Sequence, residues 1–317
     1  MNAGLFVLAP VGAAAAVLAG WAALARREGR RRALALYRPP RAESVRTPGD
    51  RGLPWEETPV TTRGGNRLAA WWIPGRGPHT VVVCHPVGRD RASVLPHIRL
   101  LHEAGHHVLA YDLRNHGASD DDPHIREMAA RFTEDLHDVL GHVRSRAPGP
   151  GGRVGVLALS FSTWPAVYGL RDSPAVDAVV CDSGPGADLT GAMRRYFDLQ
   201  SRLLPKWLHN RPAVTLARHA FVTGARRRLG VRPDWLAALA DSPVPMLFVA
   251  AGRDTLMPPD DIAAVARHAP RAQVWTAPHS IHVNAHRLDR AAYTERLTAF
   301  YEEAFGRAAV AARRADD

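Results

Sequence analysis

The feature that most constrains the fold is an alternation of short apolar runs with longer segments of helical periodicity. Short apolar runs bounded by turn residues are typical of buried strands. These runs are residues 80–84, 107–111, 154–158, 176–181, 244–250 and 273–275, with helical patterns such as 91–104 and 127–144 between them. Strands joined through helices predict an α/β fold with a mostly parallel central sheet flanked by helices. Ligands of such sheets bind at the carboxyl ends of the strands.

Two further segments complete the predicted organisation. Residues 58–62 and 68–73 flank a turn-forming stretch and predict an antiparallel hairpin. Residues 185–240 carry helical patterns without strands, and we expect them to cover the strand ends as a helical lid. The predicted divisions are an N-terminal anchor with its basic flank at 1–32, a linker at 33–54, an α/β domain at 55–306 and a tail at 307–317.

The N-terminal segment predicts a membrane anchor. Residues 3–25 carry no charged side chain, and a bilayer-spanning helix needs about 20 apolar residues. Arginines follow this run from Arg26 to Arg32, so the positive-inside rule predicts a single-pass protein of the cell membrane with a cytoplasmic α/β domain. A cleaved signal peptide ending at residues 23–25 is the alternative; it is disfavoured because no positive charge precedes the apolar run.

The charge and the cysteine content limit which partners, metals and cofactors the chain is expected to bind. The net charge of +10 invites a nucleic-acid interpretation, but the arginine clusters lack the interleaved aromatic side chains that stack on bases. We therefore predict no nucleic-acid partner. Cys84 and Cys181 lie in apolar runs and are expected to be buried thiols. No residue spacing indicates a metal or cofactor site, and the oligomeric state is left open.

A candidate nucleophile follows one of the predicted strands. Ser160 comes directly after the run 154–158, with the small residues Ala158 and Ser162 two positions before and after it. A sharp strand-to-helix turn requires small side chains at those two positions. Because a serine hydroxyl is a weak nucleophile at neutral pH, it needs a base within hydrogen-bond reach and a third group that orients the base.

Several stretches together resemble the α/β-hydrolase superfamily, in its chain order and over about residues 55–306, and in particular its serine esterase or lysophospholipase-like branch. They are 82–87 (VVCHPV), 105–119 (GHHVLAYDLRNHGAS), 158–162 (ALSFS), 245–254 (PMLFVAAGRD) and 278–282 (PHSIH). The resemblance implies an α/β-hydrolase fold in which Ser160 attacks, His282 accepts and returns the proton, and Asp254 orients the imidazole. It also implies that the backbone amides of Phe161 and Val87 form the oxyanion hole.

The sequence departs from the family pattern at three positions. Ala158 and Ser162 replace the usual glycines, and Pro86 stands where a glycine is expected in the oxyanion loop. Proline has no N–H to donate, which puts the geometry of that loop in doubt. Asp182, at the end of another predicted strand, is the second candidate for the acid.

Neighbouring polar residues are given structural roles. His279 and His286 lie near His282 but outside the position that the family gives to its histidine. Asp112 and His116 are expected to brace a turn, since short polar side chains fix local backbone. His85 is expected to brace the oxyanion loop.

These patterns predict a serine hydrolase, esterase-like or lipase-like, that cleaves a carboxylic ester through an acyl-enzyme. The predicted anchor and lid favour a lipid or other acyl substrate. An amidase, a peptidase or a thioesterase would use the same residues. The alternative from another class is a non-catalytic α/β-hydrolase-fold binding protein at the membrane, which the three departures favour.

Overall fold

A computed structural model describes residues 5–41, 44–146, 151–170 and 176–316. The strands are β1 (Glu56–Glu57), β2 (Val60–Thr61), β3 (Arg67–Leu68), β4 (Ala70–Ile73), β5 (Thr80–Cys84), β6 (His107–Tyr111), β7 (Val154–Leu159), β8 (Ala178–Asp182), β9 (Met246–Ala251) and β10 (Ala272–Ala277). Every buried strand predicted from the alternation is present, with shifts only at the strand ends.

Helices separate these strands. They are α1 (Leu5–Ala35), α2 (Leu95–Glu103), α3 (Met128–Arg146), α4 (Thr163–Tyr168), α5 (Leu189–Gln200), α6 (Arg211–Leu229), α7 (Pro259–Ala266), α8 (Ala285–Leu288) and α9 (Arg290–Asp316). Both predicted helical patterns are confirmed, because α2 lies within residues 91–104 and α3 begins within one residue of the predicted start. The proline- and glycine-rich stretch 147–152, which predicts a loop after this helix, falls largely outside the described residues, at 147–150.

The central sheet has eight strands in the order β1-β4-β6-β5-β7-β8-β9-β10. β4 is antiparallel to β6, whereas all the strands from β6 across to β10 run parallel. The predicted hairpin is present only next to its turn, as the antiparallel pair β2 and β3, with Val60 opposite Leu68. Most of its predicted second strand is β4, which pairs with β1 and β6 instead. The parallel register aligns Ala158 with Cys84 and Leu159 with Asp182, so the carboxyl ends of β5, β7 and β8 lie together at one edge.

Two hydrophobic cores cover the two faces of the sheet. Because side chains alternate along a strand, Val81 and Val83 of β5 face the core that holds α2 and α9, while Val82 and Cys84 face the opposite core. This opposite core, on the side of Val82 and Cys84, contains α3, α4 and α7 and extends to α1, α5 and α6. Cys84 and Cys181 are both buried and free, as predicted.

Helix α1 is where the structure departs from the sequence prediction. Among the described residues, no helix is long and apolar enough to cross a membrane, so the predicted transmembrane anchor is not supported. The helix continues through the arginine cluster to Ala35 and packs on α6, against which a side chain at Gly29 would meet the carbonyl oxygen of Ala217 at 2.0 Å. The Tyr37 hydroxyl then donates to the carbonyl oxygen of Ala225 at 2.8 Å. The basic flank of the predicted anchor is thus held against the helical insertion.

Candidate active site

The turn after β7 presents Ser160 at the carboxyl edge of the sheet. Ser160 has a positive φ of 54°, a strained value for a residue with a side chain, and it begins a short 3-10 turn that leads into α4. The Thr163 hydroxyl donates to the Ser160 carbonyl oxygen at 2.5 Å and braces this turn. Ala158 and Ser162 are fully buried on either side. A larger residue at these two positions would not fit the turn.

A chain of hydrogen bonds joins Ser160 to an imidazole and a carboxylate. The distance from Ser160 Oγ to His282 Nε2 is 2.7 Å, and His282 Nδ1 lies 2.6 Å from Asp254 Oδ2. The other carboxylate oxygen of Asp254 accepts from the backbone amides of Leu256 and Met257 at 2.8 and 2.9 Å, which fixes its orientation. Nδ1 facing a carboxylate carries the proton, so Nε2 is left to accept from the serine hydroxyl.

The loop after β5 is held by His85, as predicted. His85 Nε2 accepts from the backbone amide of Leu113 at 3.0 Å, so Nδ1 carries the proton and donates to the Pro86 carbonyl oxygen at 2.8 Å. Burial lowers the pKa of His85 to about 4, which keeps this ring neutral and its tautomer fixed. The Ser162 hydroxyl donates to the His85 carbonyl oxygen at 2.5 Å and ties this loop to the nucleophile turn. The serine in place of the usual glycine therefore has a role that the sequence did not reveal.

Val87 and Phe161 flank the nucleophile. Val87 lines the same cavity as Ser160, and Phe161 follows Ser160 in the turn, with its ring packed edge-on against Phe132 and Tyr37. These positions suit backbone donors to a developing oxyanion. Pro86 contributes its carbonyl oxygen to the loop, to His85 and to the amide of Arg89, rather than an N–H to the site.

Asp182 does not contact the imidazole. Its carboxylate accepts from the hydroxyls of Ser183 and Tyr293 at 2.8 and 3.0 Å, and burial raises its pKa to about 6. The Ser183 hydroxyl in turn accepts from the backbone amide of Val283, the residue after His282. Of the two candidate acids, the structure brings Asp254 to His282 and places Asp182 behind the histidine loop.

The remaining polar residues have the structural roles predicted for them. Asp112 accepts from the backbone amides of Arg91 and Ala118 at 2.6 and 2.9 Å and so braces its turn. The exposed His279 ring contacts Asp289 at 2.8 Å instead of Ser160. His286 packs against His97 in a tilted arrangement, with ring centroids 4.4 Å apart.

A cavity of about 870 Å³ opens over the nucleophile and is lined by Ser160 and His282. The helical insertion contributes Tyr196, Gln200 and Leu203 to its wall. Residues that the sequence assigned to an anchor flank and a linker, such as Arg31 and Pro39, line it as well. No local pattern could have placed them there, because their position depends on how α1 packs on α6.

The order of the strands, the antiparallel β4, and a strained serine turn hydrogen-bonded to a histidine at the carboxyl edge define a protein of the α/β-hydrolase class. The sequence model of the alpha/beta hydrolase family matches residues 81–292. The chain belongs to the alpha/beta hydrolase family.

Solved structures show the same fold. An esterase from Pyrococcus furiosus is 23% identical with a TM-score of 0.71, and the match covers 84% of this chain and 98% of that one. A hydrolase from Pseudomonas aeruginosa is 20% identical (TM-score 0.59; coverage 78% and 98%), and a thermophilic esterase from Thermogutta terrifontis is 19% identical (TM-score 0.55; coverage 79% and 99%). No curated protein sequence matches this chain significantly. Family and neighbours together support hydrolase chemistry.

Proposed function

We propose that this protein is a serine esterase that hydrolyses carboxylic esters through an acyl-enzyme on Ser160. The observation that carries the proposal is the continuous hydrogen-bond chain from Ser160 through His282 to Asp254, with contacts of 2.7 and 2.6 Å, at the wall of a large cavity. A non-catalytic binding protein would not need this chain. The short contact between serine and histidine therefore weighs against that alternative.

The geometry suits a two-step acyl transfer. Ser160 Oγ attacks the ester carbonyl carbon while His282 Nε2 accepts its proton, and the imidazolium then protonates the departing alcohol. A water molecule next attacks the acyl-enzyme, with His282 again the base, and releases the acid and the free serine. Asp254 holds the imidazole in the required tautomer. The backbone amides of Phe161 and Val87 would stabilise the oxyanion, donors whose loss costs about 10²- to 10³-fold in such sites.

The helical insertion at 185–240 would act as a lid that shapes the acyl and alcohol subsites. Tyr196, Gln200 and Leu203 support this assignment, because they reach from the insertion into the cavity that holds Ser160. The volume of about 870 Å³ accommodates an ester of medium size.

A fluorophosphonate probe tests the core of the proposal. The probe phosphonylates a serine only when a neighbouring base activates it, so we expect one adduct per folded molecule, located on Ser160 by peptide mass spectrometry. Ser160→Ala should abolish labelling. Ser145→Ala is the matched control and should leave labelling intact, because Ser145 is exposed on α3 and its hydroxyl donates to the His142 carbonyl oxygen.

Hydrolysis of short acyl esters completes the test. We expect wild-type protein to cleave 4-nitrophenyl butyrate and Ser160→Ala to lose that activity by about 10⁴-fold or more, the range found for removal of a triad nucleophile. A folded protein that neither forms an adduct on Ser160 nor cleaves any ester of a chain-length series would refute the esterase proposal.

A further inference from the structure

The cavity over Ser160 is strongly cationic. Arg31, Arg32 and Arg89 line it together with Ser160 and His282, and none of the described residues that line it is acidic. Acyl transfer to serine needs a base, an oxyanion hole and apolar surface, but no guanidinium group. The three arginines at this cavity are therefore explained by the substrate and not by a requirement of the acyl-transfer reaction.

The two arginines of α1 are only partly neutralised. Both contact the same carboxylate, that of Glu28, at 2.8 Å. The hydrogen bond from Arg31 lowers the pKa of Glu28, and the same contact raises the pKa of Arg31, so both groups stay charged. One carboxylate facing two guanidinium groups leaves a net positive charge at the cavity wall.

The two arginines of α1 differ in their freedom to bind a ligand. Arg32 also donates to the Leu203 carbonyl oxygen at 2.7 Å, and its side chain is 13% exposed, which makes it part of the contact between α1 and the insertion. The side chain of Arg31 is 67% exposed. Arg31 holds Glu28 through both Nε and Nη2 at 2.8 Å, and it can exchange this exposed ion pair for a bound anion without breaking the packing of α1.

Arg89 supplies a third positive charge to the cavity wall. It comes not from α1 but from the loop after β5. It follows Val87 and Gly88, the latter with a φ of 74°, and its backbone amide donates to the Pro86 carbonyl oxygen at 3.2 Å. The side chain is exposed, and among the described residues it has no ion-pair partner. Arg89 therefore brings an uncompensated charge to the cavity wall, two residues after Val87, the predicted oxyanion donor.

We propose that Arg31 and Arg89 recognise an anionic group, a carboxylate or a phosphate, on the ester that Ser160 attacks. The inference rests on the proposed esterase function and narrows its substrate class to esters that carry a negative charge. A guanidinium group matches both anions through paired N–H donors. Inside a cavity walled by protein, such charges also raise the local concentration of an anionic substrate.

Matched ester pairs test the charge preference. Mono-4-nitrophenyl glutarate and 4-nitrophenyl pentanoate share leaving group and acyl length but differ by one terminal carboxylate, which places the charge on the acyl side. 4-Acetoxybenzoate carries a carboxylate on the alcohol side, and 4-acetoxybenzamide is its neutral partner. 4-Acetoxyphenyl phosphate replaces that carboxylate with a phosphate. We expect a higher kcat/KM for the anionic ester of at least one pair, after subtraction of the complete non-enzymatic rate of each ester in the same buffer.

Substitutions assign the preference to the two arginines. Arg31→Gln and Arg89→Gln should each reduce the ratio of anionic to neutral kcat/KM by about threefold to fivefold, the effect of one partly exposed ion pair. Arg267→Gln is the control, because Arg267 is an exposed arginine at the end of α7, outside the cavity, and should leave the ratio unchanged. A ratio near one in wild-type protein, or a ratio that neither substitution changes, would overturn the inference.

Binding to Ser160→Ala separates this inference from the esterase proposal. This variant cannot turn the esters over, so calorimetry measures affinity alone. We expect the anionic ester to bind severalfold more tightly than its neutral partner, and Arg31→Gln with Arg89→Gln in the same chain to remove the difference. Equal binding of both esters refutes anion recognition even if esters are cleaved. A charge preference in binding without any hydrolysis or labelling supports anion recognition and refutes the esterase proposal.

Discussion

Two carboxylates end neighbouring strands at this site, and their contacts separate their roles. Asp254 reaches His282 Nδ1 directly, at 2.6 Å, and its side chain is fully buried. Asp182 reaches the histidine loop only through the Ser183 hydroxyl, which accepts from the Val283 amide. Val283 has a positive φ of 56°, so the loop needs this support to hold the preceding histidine in place. Asp182 is thus a positioning residue.

Replacing each carboxylate by its amide measures this difference. Asp254→Asn should lower kcat by about 10⁴-fold, because an amide stabilises the wrong imidazole tautomer. Asp182→Asn should lower kcat by less than about tenfold, the cost of weakening one hydrogen bond behind the loop. Steady-state kinetics on 4-nitrophenyl butyrate, with circular dichroism to verify folding, provides the measurement. A larger loss for Asp182→Asn than for Asp254→Asn would reverse the assignment of the two acids.

The sequence predicted which residues meet but not how their surroundings hold them. The family resemblance selected Ser160, Asp254 and His282, and each follows a strand of the parallel sheet, which brings them to one edge. Strand ends alone left Asp182 open as a second candidate for the acid. The hydrogen bond from Ser162 to the His85 carbonyl oxygen joins two loops that are far apart in sequence, and no spacing rule indicates it. Such contacts depend on the exact approach of neighbouring turns.

At the scale of elements, helix α1 shows where prediction from the sequence pattern fails. The continuous apolar run predicts burial in a membrane, but its described part is largely exposed, with Val17 at 70% and Leu18 at 65% exposure. The structure packs the later part of α1 on α6, where Ala25 and Ala33 are fully buried, and brings the arginine cluster to the cavity over Ser160. Close approach depends on small residues: a side chain at Gly224 would lie 3.1 Å from the Ala33 Cβ. The length of the apolar run predicted a helix over residues 3–25, whereas its extension to Ala35 and its packing partner required the three-dimensional structure.

Two glycines of α1 allow a matched test of this packing. In Gly29→Ala the new Cβ would meet the Ala217 carbonyl oxygen at 2.0 Å, so α1 must shift away from α6. We expect a loss of about 1–3 kcal/mol in the free energy of unfolding. Gly20→Ala adds the same methyl group where nothing lies within 4 Å, and should be neutral or stabilise by up to about 1 kcal/mol through helix propensity. Urea unfolding followed by circular dichroism compares them, and equal stabilities would show that α1 does not pack closely on α6.

At the scale of the whole molecule, buried histidines make the fold sensitive to acid. Burial lowers the pKa of His85 and His106 to about 4 and that of His116 to about 3, with the neighbouring His85 adding to the effect on His116. Burial also holds the pKa of His97 well below its ordinary value, and among the described residues neither ring nitrogen of His97 has a hydrogen-bond partner. The folded protein therefore keeps these rings neutral at pH values where an unfolded chain would protonate them.

The buried carboxyl groups with raised pKa values have the opposite effect on stability as the pH falls. Burial raises the pKa of Asp182 to about 6 and shifts those of Asp112 and Asp135 upward. A carboxyl with a raised pKa binds its proton more readily in the folded state, so these groups offset part of the loss as the pH falls. The histidine shifts begin at a higher pH, near 6.5, and they are more numerous, since the pKa values of His79, His107, His142 and His286 are lowered as well. The net effect is therefore that of the histidines, a loss of stability as the pH falls.

Stability should consequently fall as the pH drops below about 6.5. Between that pH and about 4 the unfolded state binds more protons than the folded state, and each unit of pKa shift is worth about 1.4 kcal/mol. We expect the free energy of unfolding, from urea titrations at fixed pH, to decrease by at least about 3 kcal/mol over this interval. His97→Leu removes one ring that must stay neutral, together with its two unpartnered nitrogens, so this variant should match or exceed wild-type stability at pH 7 and lose less of it at pH 4. Identical pH profiles for the variant and wild-type protein would mean that His97 does not contribute to acid sensitivity.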